Sequence, residues 1–269
     1  MLEYQIRTSH RPRPLPGGRW AASQRWNDLL FAHWPVPVAS IAPLLPAGLE
    51  PETFQGSAWI GMVPFWLDRI KLRGVPTLPG MRGFPDLNLR TYVRDRFTGE
   101  QGIYCFSLDA SNALTVAAAR LVFRLPYHWA EMRLEQRTGR EFSFYSRRRL
   151  SPRPIVFSVR YRGLGPTRKT AEMPAGSLEY FFTERYCLFT STHSGQPIRA
   201  RIHHVPSPLE EAEAEIERND IAAAIGIELP DERPVLHYSR RLAVYIWPLE
   251  LVRSALASRP VTIAATPSG

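Results

Sequence analysis

The feature that most constrains this chain is a succession of short segments, at residues 57–67, 88–96, 101–110, 130–138, 140–148 and 155–162, several alternating apolar with polar residues. A period of two places one set of side chains on a buried face and the other on the opposite face, which is the pattern of strands. Short turns join neighbours: "FTGEQ" precedes the third segment and "TGR" the fifth, and they contain Gly99 and Gly139 where a hairpin needs positive φ. The spacing therefore predicts antiparallel pairs, with "VLHYSRRLAVYIWPL" as a last long strand. Three helices are expected between the strands. The first spans residues 112–124 with Leu114, Ala118 and Leu121 on one face; the second follows Gly176, capped by Ser177. The third spans 207–226, with Ser207 and Glu210 at capping-box spacing, Pro208 at the first helical position, and Leu209, Ala212, Ile216 and Ala223 as its apolar line. The fold class expected is α+β and β-rich, a sheet curled over a few short helices. Residues 1–19 read as a flexible basic arm, 20–255 as one domain and 256–269 as a tail.

At 269 residues the chain buries enough surface to fold without disulfides or metals, and no apolar run reaches the length of a membrane span. The N-terminus lacks the apolar core of a secretory signal, so the cytoplasm is the expected location. Cys105 and Cys187 sit in apolar, aromatic strings and read as two buried thiols. Of the net charge of +9, Arg7, Arg11, Arg13, Arg19 and Arg25 against Glu3 place +4 in the first 25 residues and leave +5 for the rest. The run Arg147 to Arg149 is the only other dense basic patch and no nucleic-acid motif accompanies it, so no specific nucleic-acid partner is expected. Among the 34 basic residues only Lys71 and Lys169 are lysines, which makes each amine worth locating.

No G-x-G-x-x-G, P-loop, G-x-S-x-G or H-E-x-x-H motif occurs, which removes most support for nucleotide cofactors and the commonest hydrolases. No cofactor is expected. His203 and His204 are adjacent, so on a strand they face opposite sides, and no spacing of His33, His128, His193 or His237 favours a metal. Asn88, Arg90 and Tyr92 share one face of a strand. If that face points inward, the guanidinium must be paired or must await an anion; if outward, the three are polar surface. Arg120 and Arg124 lie one helical turn apart, where unpaired like charges repel. Glu184, inside "EYFFTERYCLFT", is either a structural partner of an arginine or a catalytic carboxylate, and His33 and His204 read as core histidines.

Six ordered blocks, "RWNDLLFAHWPV", "LLPAGLEPETFQGSAWIGMVPF", "FPDLNLRTYV", "GIYCFSLDA", "ARLVFRLPYHWAEM" and "SLEYFFTERYCLF", together resemble the YqjF-like family, a branch of the acetoacetate decarboxylase-like superfamily, over residues 25–249. That resemblance implies a closed, cone-shaped antiparallel β-barrel around a small-molecule cavity. In the decarboxylases the block similar to "ARLVFRLPYHWA" carries a helix arginine, a proline and two lysines, one of which forms a Schiff base with a keto acid. Here Arg120 and Pro126 match, and the lysine positions hold Tyr127 and His128. Neither a phenol nor an imidazole makes an imine, so Schiff-base decarboxylation is not expected. Tyr127, His128 and Glu184 become the catalytic candidates, with only one of Tyr127 and His128 facing the cavity; Arg90, Asn88 and Arg120 become the substrate-binding candidates. The expected function is acid and base chemistry of a lyase type, without cofactor, on a small oxo acid or carbonyl compound. The alternative is a non-catalytic binder or sensor. The expected partner is a small molecule, with no membrane association, and a homo-oligomer stays open.

Overall fold

The computed structural model describes residues 8–75, 83–121, 125–192 and 195–252. Fourteen strands form one sheet: β1 (Ala22–Val36), β2 (Leu49–Pro51), β3 (Ala58–Leu72), β4 (Phe84–Asp95), β5 (Gln101–Ala110), β6 (Tyr127–Gln136), β7 (Glu141–Arg148), β8 (Val156–Gly163), β9 (Arg168–Lys169), β10 (Cys187–Ser191), β11 (Pro197–His203), β12 (Pro208–Asn219), β13 (Val235–Ile246) and β14 (Glu250–Leu251). The helices are short: α1 (Val38–Ile41), α2 (Ala113–Leu121) and α3 (Leu178–Thr183), the last capped by the Ser177 side chain on the Tyr180 amide. Among the described residues no helix is long and apolar enough to cross a membrane.

The hairpins expected at Gly99 and Gly139 form, both glycines at positive φ, and join β4 to β5 and β6 to β7 antiparallel. The pairings β13–β1, β1–β3, β3–β4, β4–β5, β5–β10, β10–β11 and β11–β13 lead from one strand to the next and back to the first. Strands in the middle of this path are buried on both faces. Leu30, Ala32 and Trp34 of β1 and Leu87 and Leu89 of β4 pack into one apolar cluster with Phe144, Phe157 and Val159 of β7 and β8. The alternate residues of β1, Leu29 and Phe31, join a second cluster with Val63, Phe65, Leu242 and Val244.

Two expectations are corrected. The segment expected as a third helix is β12, ending in a short 3-10 turn at Ala223–Ile225. Ala212, Ala214 and Ile216 turn toward the core while Glu213, Glu215 and Glu217 face the arginines of β8, so the alternation wins over the helix propensity of alanine and glutamate. In α2 the expected apolar face is reversed: Leu114 and Leu121 are 82% exposed, and Val116 and Ala119 face inward. Arg124, His193 and the Ala118 side chain lie outside the described set.

Candidate functional site

β4 runs through the interior with Asp86, Asn88, Arg90 and Tyr92 at alternate positions on one face, each at most 4% exposed. Four polar side chains in succession on a buried face are costly unless each finds a partner. Here several do not: Asp86 Oδ1, Asn88 Oδ1 and Arg90 Nε have no hydrogen-bond partner among the described residues. Arg90 donates from Nη2 to the Tyr92 hydroxyl at 3.4 Å and lies 5.3 Å from the centre of the Phe31 ring. Among the described residues no carboxylate pairs with it. The inward alternative for this strand therefore holds, and its arginine is unneutralised.

At one end of the stripe, the Tyr92 hydroxyl shares a 2.6 Å hydrogen bond with His33 Nε2 and lies 3.2 Å from the Phe182 carbonyl. The His33 ring stacks on Phe182 at 3.8 Å between centroids, and its Nδ1 has no partner among the described residues. Burial, then the charge of Arg90 and His237, holds this imidazole well below its usual pKa, so it is neutral. The ring has room because residue 61, between His33 and Arg90 in the ladder, is glycine: a Cβ there would come within 2.6 Å of His33 Nε2.

At the other end, the Tyr127 hydroxyl donates to Asp86 Oδ2 at 3.3 Å. Burial pushes the Asp86 carboxyl well above the usual range, against the opposing hydrogen bond from Tyr127, and Asp109 adds to the rise. Burial and the neighbouring Asp86 likewise keep Tyr127 a neutral phenol. The Cys105 thiol, pushed up to about 12 by burial, completes this region.

The sequence candidates thus divide. Arg90, Asn88 and Tyr127 come together. His128, opposite Asp109 in the β5–β6 ladder, sits near Arg148 and Arg120, where burial and those two charges lower its pKa to about 4. Beside it Arg148 donates to Asp109 at 2.8 Å and to Ser107 at 2.7 Å, a buried ion pair. Arg120 is exposed in the last turn of α2. Glu184 accepts from the hydroxyls of Thr170 and Tyr186 and, at 3.4 Å, from the Ser207 amide; none of these partners belongs to the β4 stripe. Lys71 and Lys169 are exposed at strand ends. Sequence reading missed Asp86 and the role of His33. Asp86 was within reach, since it stands two residues before Asn88 and continues the same period; nothing local marks His33.

The family model described as an uncharacterized conserved protein, DUF2071, matches residues 23–243. The chain belongs to this family. Another protein similar to it, "Uncharacterized protein YqjF" of Bacillus subtilis (strain 168), is 45% identical over 235 residues, 87% of this chain and 94% of that one. Solved structures of the same fold include the enduracididine biosynthesis enzyme MppR complexed with pyruvate (TM-score 0.59, 12% identity, 88% of this chain and 93% of that one). They also include acetoacetate decarboxylase from Legionella pneumophila (TM-score 0.59, 12% identity, 91% and 93%). At such identities the likeness establishes an acetoacetate decarboxylase-like fold for this family member and leaves its chemistry to its own residues.

Proposed function

We propose that the β4 stripe binds a small oxo acid or related carbonyl compound and acts on it by acid and base catalysis, without cofactor and without a Schiff base, inside the closed cone-shaped barrel of the acetoacetate decarboxylase-like proteins. The observation that carries this reading is Arg90: a buried guanidinium with a free Nε and no carboxylate partner among the described residues. A buried cation of this kind is stabilised by an anionic ligand, and a carboxylate matches its geometry in two parallel hydrogen bonds. A carboxylate held there brings the adjacent carbonyl toward Asn88, Asp86 and Tyr127. In this reading a protonated Asp86 carboxyl, with Tyr127 bonded behind it, donates to the carbonyl oxygen and stabilises charge on it. The neutral His33 imidazole, whose Nδ1 is unpartnered among the described residues, takes the proton as the neighbouring C–H bond breaks or water adds to the carbon. Enolisation, hydration and dehydration share that requirement. The pyruvate complex of MppR, a protein of the same fold, supports the ligand class. The cytoplasm fits such a metabolite-sized ligand.

The test uses pyruvate and acetoacetate with the full chain. The reading expects saturable binding by calorimetry, weakened about 100-fold by Arg90→Met. It also expects protein-dependent exchange of pyruvate methyl protons for deuterium, followed by NMR and reduced in Asp86→Asn and Tyr127→Phe. Binding without any turnover across an oxo-acid panel favours the non-catalytic binder, for which the unpartnered atoms serve recognition alone. No binding of either acid refutes both uses of Arg90.

A further inference from the structure

Residues 8–19 form neither helix nor strand, yet side chains hold them to the body at several points. His10 Nε2 lies 3.0 Å from the His204 carbonyl. Arg11 Nη1 donates to the Ile202 carbonyl at 3.0 Å and to His203 Nδ1 at 3.1 Å, and its guanidinium stands 4.3 Å from the centre of the Tyr186 ring. Arg13 donates to the Thr98 carbonyl at 3.0 Å. Pro12, Pro14 and Pro16 fix φ at alternate positions, so the segment between these anchors and Gly17 is a stiff strap. Between strap and body lies a cavity of about 470 Å³ lined by Arg94, Glu100, Gln101, Glu184, Tyr186 and Arg201.

The strap touches the segment that packs over the β4 stripe. Tyr186, under Arg11, donates to Glu184; Glu184 ends α3, its amide bonded to the Tyr180 carbonyl; and Phe182 in α3 stacks on His33 and offers its carbonyl to Tyr92. One stretch of nine residues, 178–186, thus joins the Arg11 anchor to the surroundings of Arg90.

The anchor has a chemical condition. Nδ1 of His203 accepts from Arg11 only while that nitrogen carries no proton. Facing the imidazole are Arg11 and His10 of the strap, its neighbour His204, and the Tyr245 ring of β13; the Tyr186 ring contacts both Arg11 and His10, and Glu100 is the carboxylate acting on Arg11. We infer that the arm is an acid-released strap: a proton on His203 expels Arg11 and frees the α3–Tyr186 segment from its brace. The groups that act on the ring most strongly are the Arg11 guanidinium and two imidazoles, with no carboxylate among them, so a second positive charge beside Arg11 finds no compensation. Burial, then Arg11, His204 and His10, lowers His203 to about 4, which keeps the strap closed at neutral pH. A group whose pKa is lowered by docking takes up its proton on release. Docking is therefore strongest above pH 6.5 and weakens toward pH 4, by at most about tenfold per pH unit.

A nitroxide at Ser9→Cys in the full chain reads the strap directly, because Cys105 and Cys187 are buried and do not compete for the label. Expected is an immobilised spectrum at pH 7.5 and a mobile component that grows reversibly toward pH 4.5. His203→Gln, which accepts through its amide oxygen and does not titrate, should stay immobilised over that range, and Arg11→Ala should be mobile already at pH 7.5. In Arg11→Ala at pH 7.5 the Glu184 and Arg185 amides should exchange with deuterium roughly tenfold faster than in the parent protein. Near-UV circular dichroism establishes that each variant is folded. A label equally immobile at both pH values, an unchanged midpoint in His203→Gln, or unchanged amide exchange with a mobile strap each overturns the inference. None of these readouts depends on what the β4 stripe binds.

Discussion

Gly61 is a residue whose lack of a side chain has a specific beneficiary. His33 is pinned by its stack on Phe182 and its bond to Tyr92, so it cannot give way to a methyl group placed 2.6 Å from its Nε2. Gly61→Ala should therefore cost about 1–3 kcal/mol in urea denaturation and disturb the Tyr92–Arg90 geometry, a loss of ligand affinity measured by the same calorimetry. At this scale the sequence was half legible. The shared face of Asn88, Arg90 and Tyr92 follows from period two alone, and so does the rule that Tyr127 and His128 part company. That this face is buried does not follow, because burial is decided by what packs on the two faces of β4. Glu184 illustrates the reverse problem. Its apolar surroundings mark it as a side chain in need of partners, but the partners are hydroxyls at Thr170 and Tyr186, and the donor at Thr170 lies fourteen residues away.

At the scale of elements, β12 is the instructive case. Its sequence "EEAEAEIE" carries both an alternation and a composition that favours helix, and the capping-box spacing at Ser207 and Glu210 tips a local reading toward helix. What decides is β8, some fifty residues earlier, whose Arg160 and Arg162 meet Glu215, Glu217 and Glu213 across the ladder. No window on β12 contains that information. Glu215→Ala removes one exposed pair and should change stability by no more than about 0.5 kcal/mol. Ile216→Asp, which turns a charge toward the core cluster, should cost several times as much, about 2–4 kcal/mol. Denaturation midpoints of the two variants measure this contrast between neighbouring positions of β12. Strands with close hairpin partners, β4 with β5 and β6 with β7, were readable because the turn that sets their register lies between them. β10 and β11 were not, since β10 is short and pairs with β5 in parallel from more than eighty residues away.

For the whole molecule, burial acts on imidazoles and carboxyls in opposite directions. It lowers His33, His128, His203, His204 and His237, and it raises Asp28, Asp86 and Asp109. A histidine held below its unfolded value takes up a proton on unfolding, so its contribution to stability declines as pH falls from 6.5 through its folded value. A carboxyl held above its unfolded value behaves oppositely and loses stability as pH rises. The acid response of the protein is the difference between these sets, which a single variant can dissect. The gap in urea midpoint between the parent and His128→Gln should be constant above pH 6.5. It should move in the variant's favour as pH falls toward 4, the value to which burial, Arg148 and Arg120 bring His128. The overall class, mostly strand with few short helices, was legible from alternation; the return of the pairing path from β11 to β13 was not, because it joins segments with no shared turn.

His10 and Arg11 rest on Ile202, His203 and His204, more than 190 residues later in the chain. As a ribosome delivers the polypeptide, His10 and Arg11 emerge long before their resting place exists, and they must wait unanchored until nearly the entire sheet has been made. A segment synthesised before the sheet is thus among the last to settle, and a nascent chain keeps the 470 Å³ chamber uncovered until that late moment.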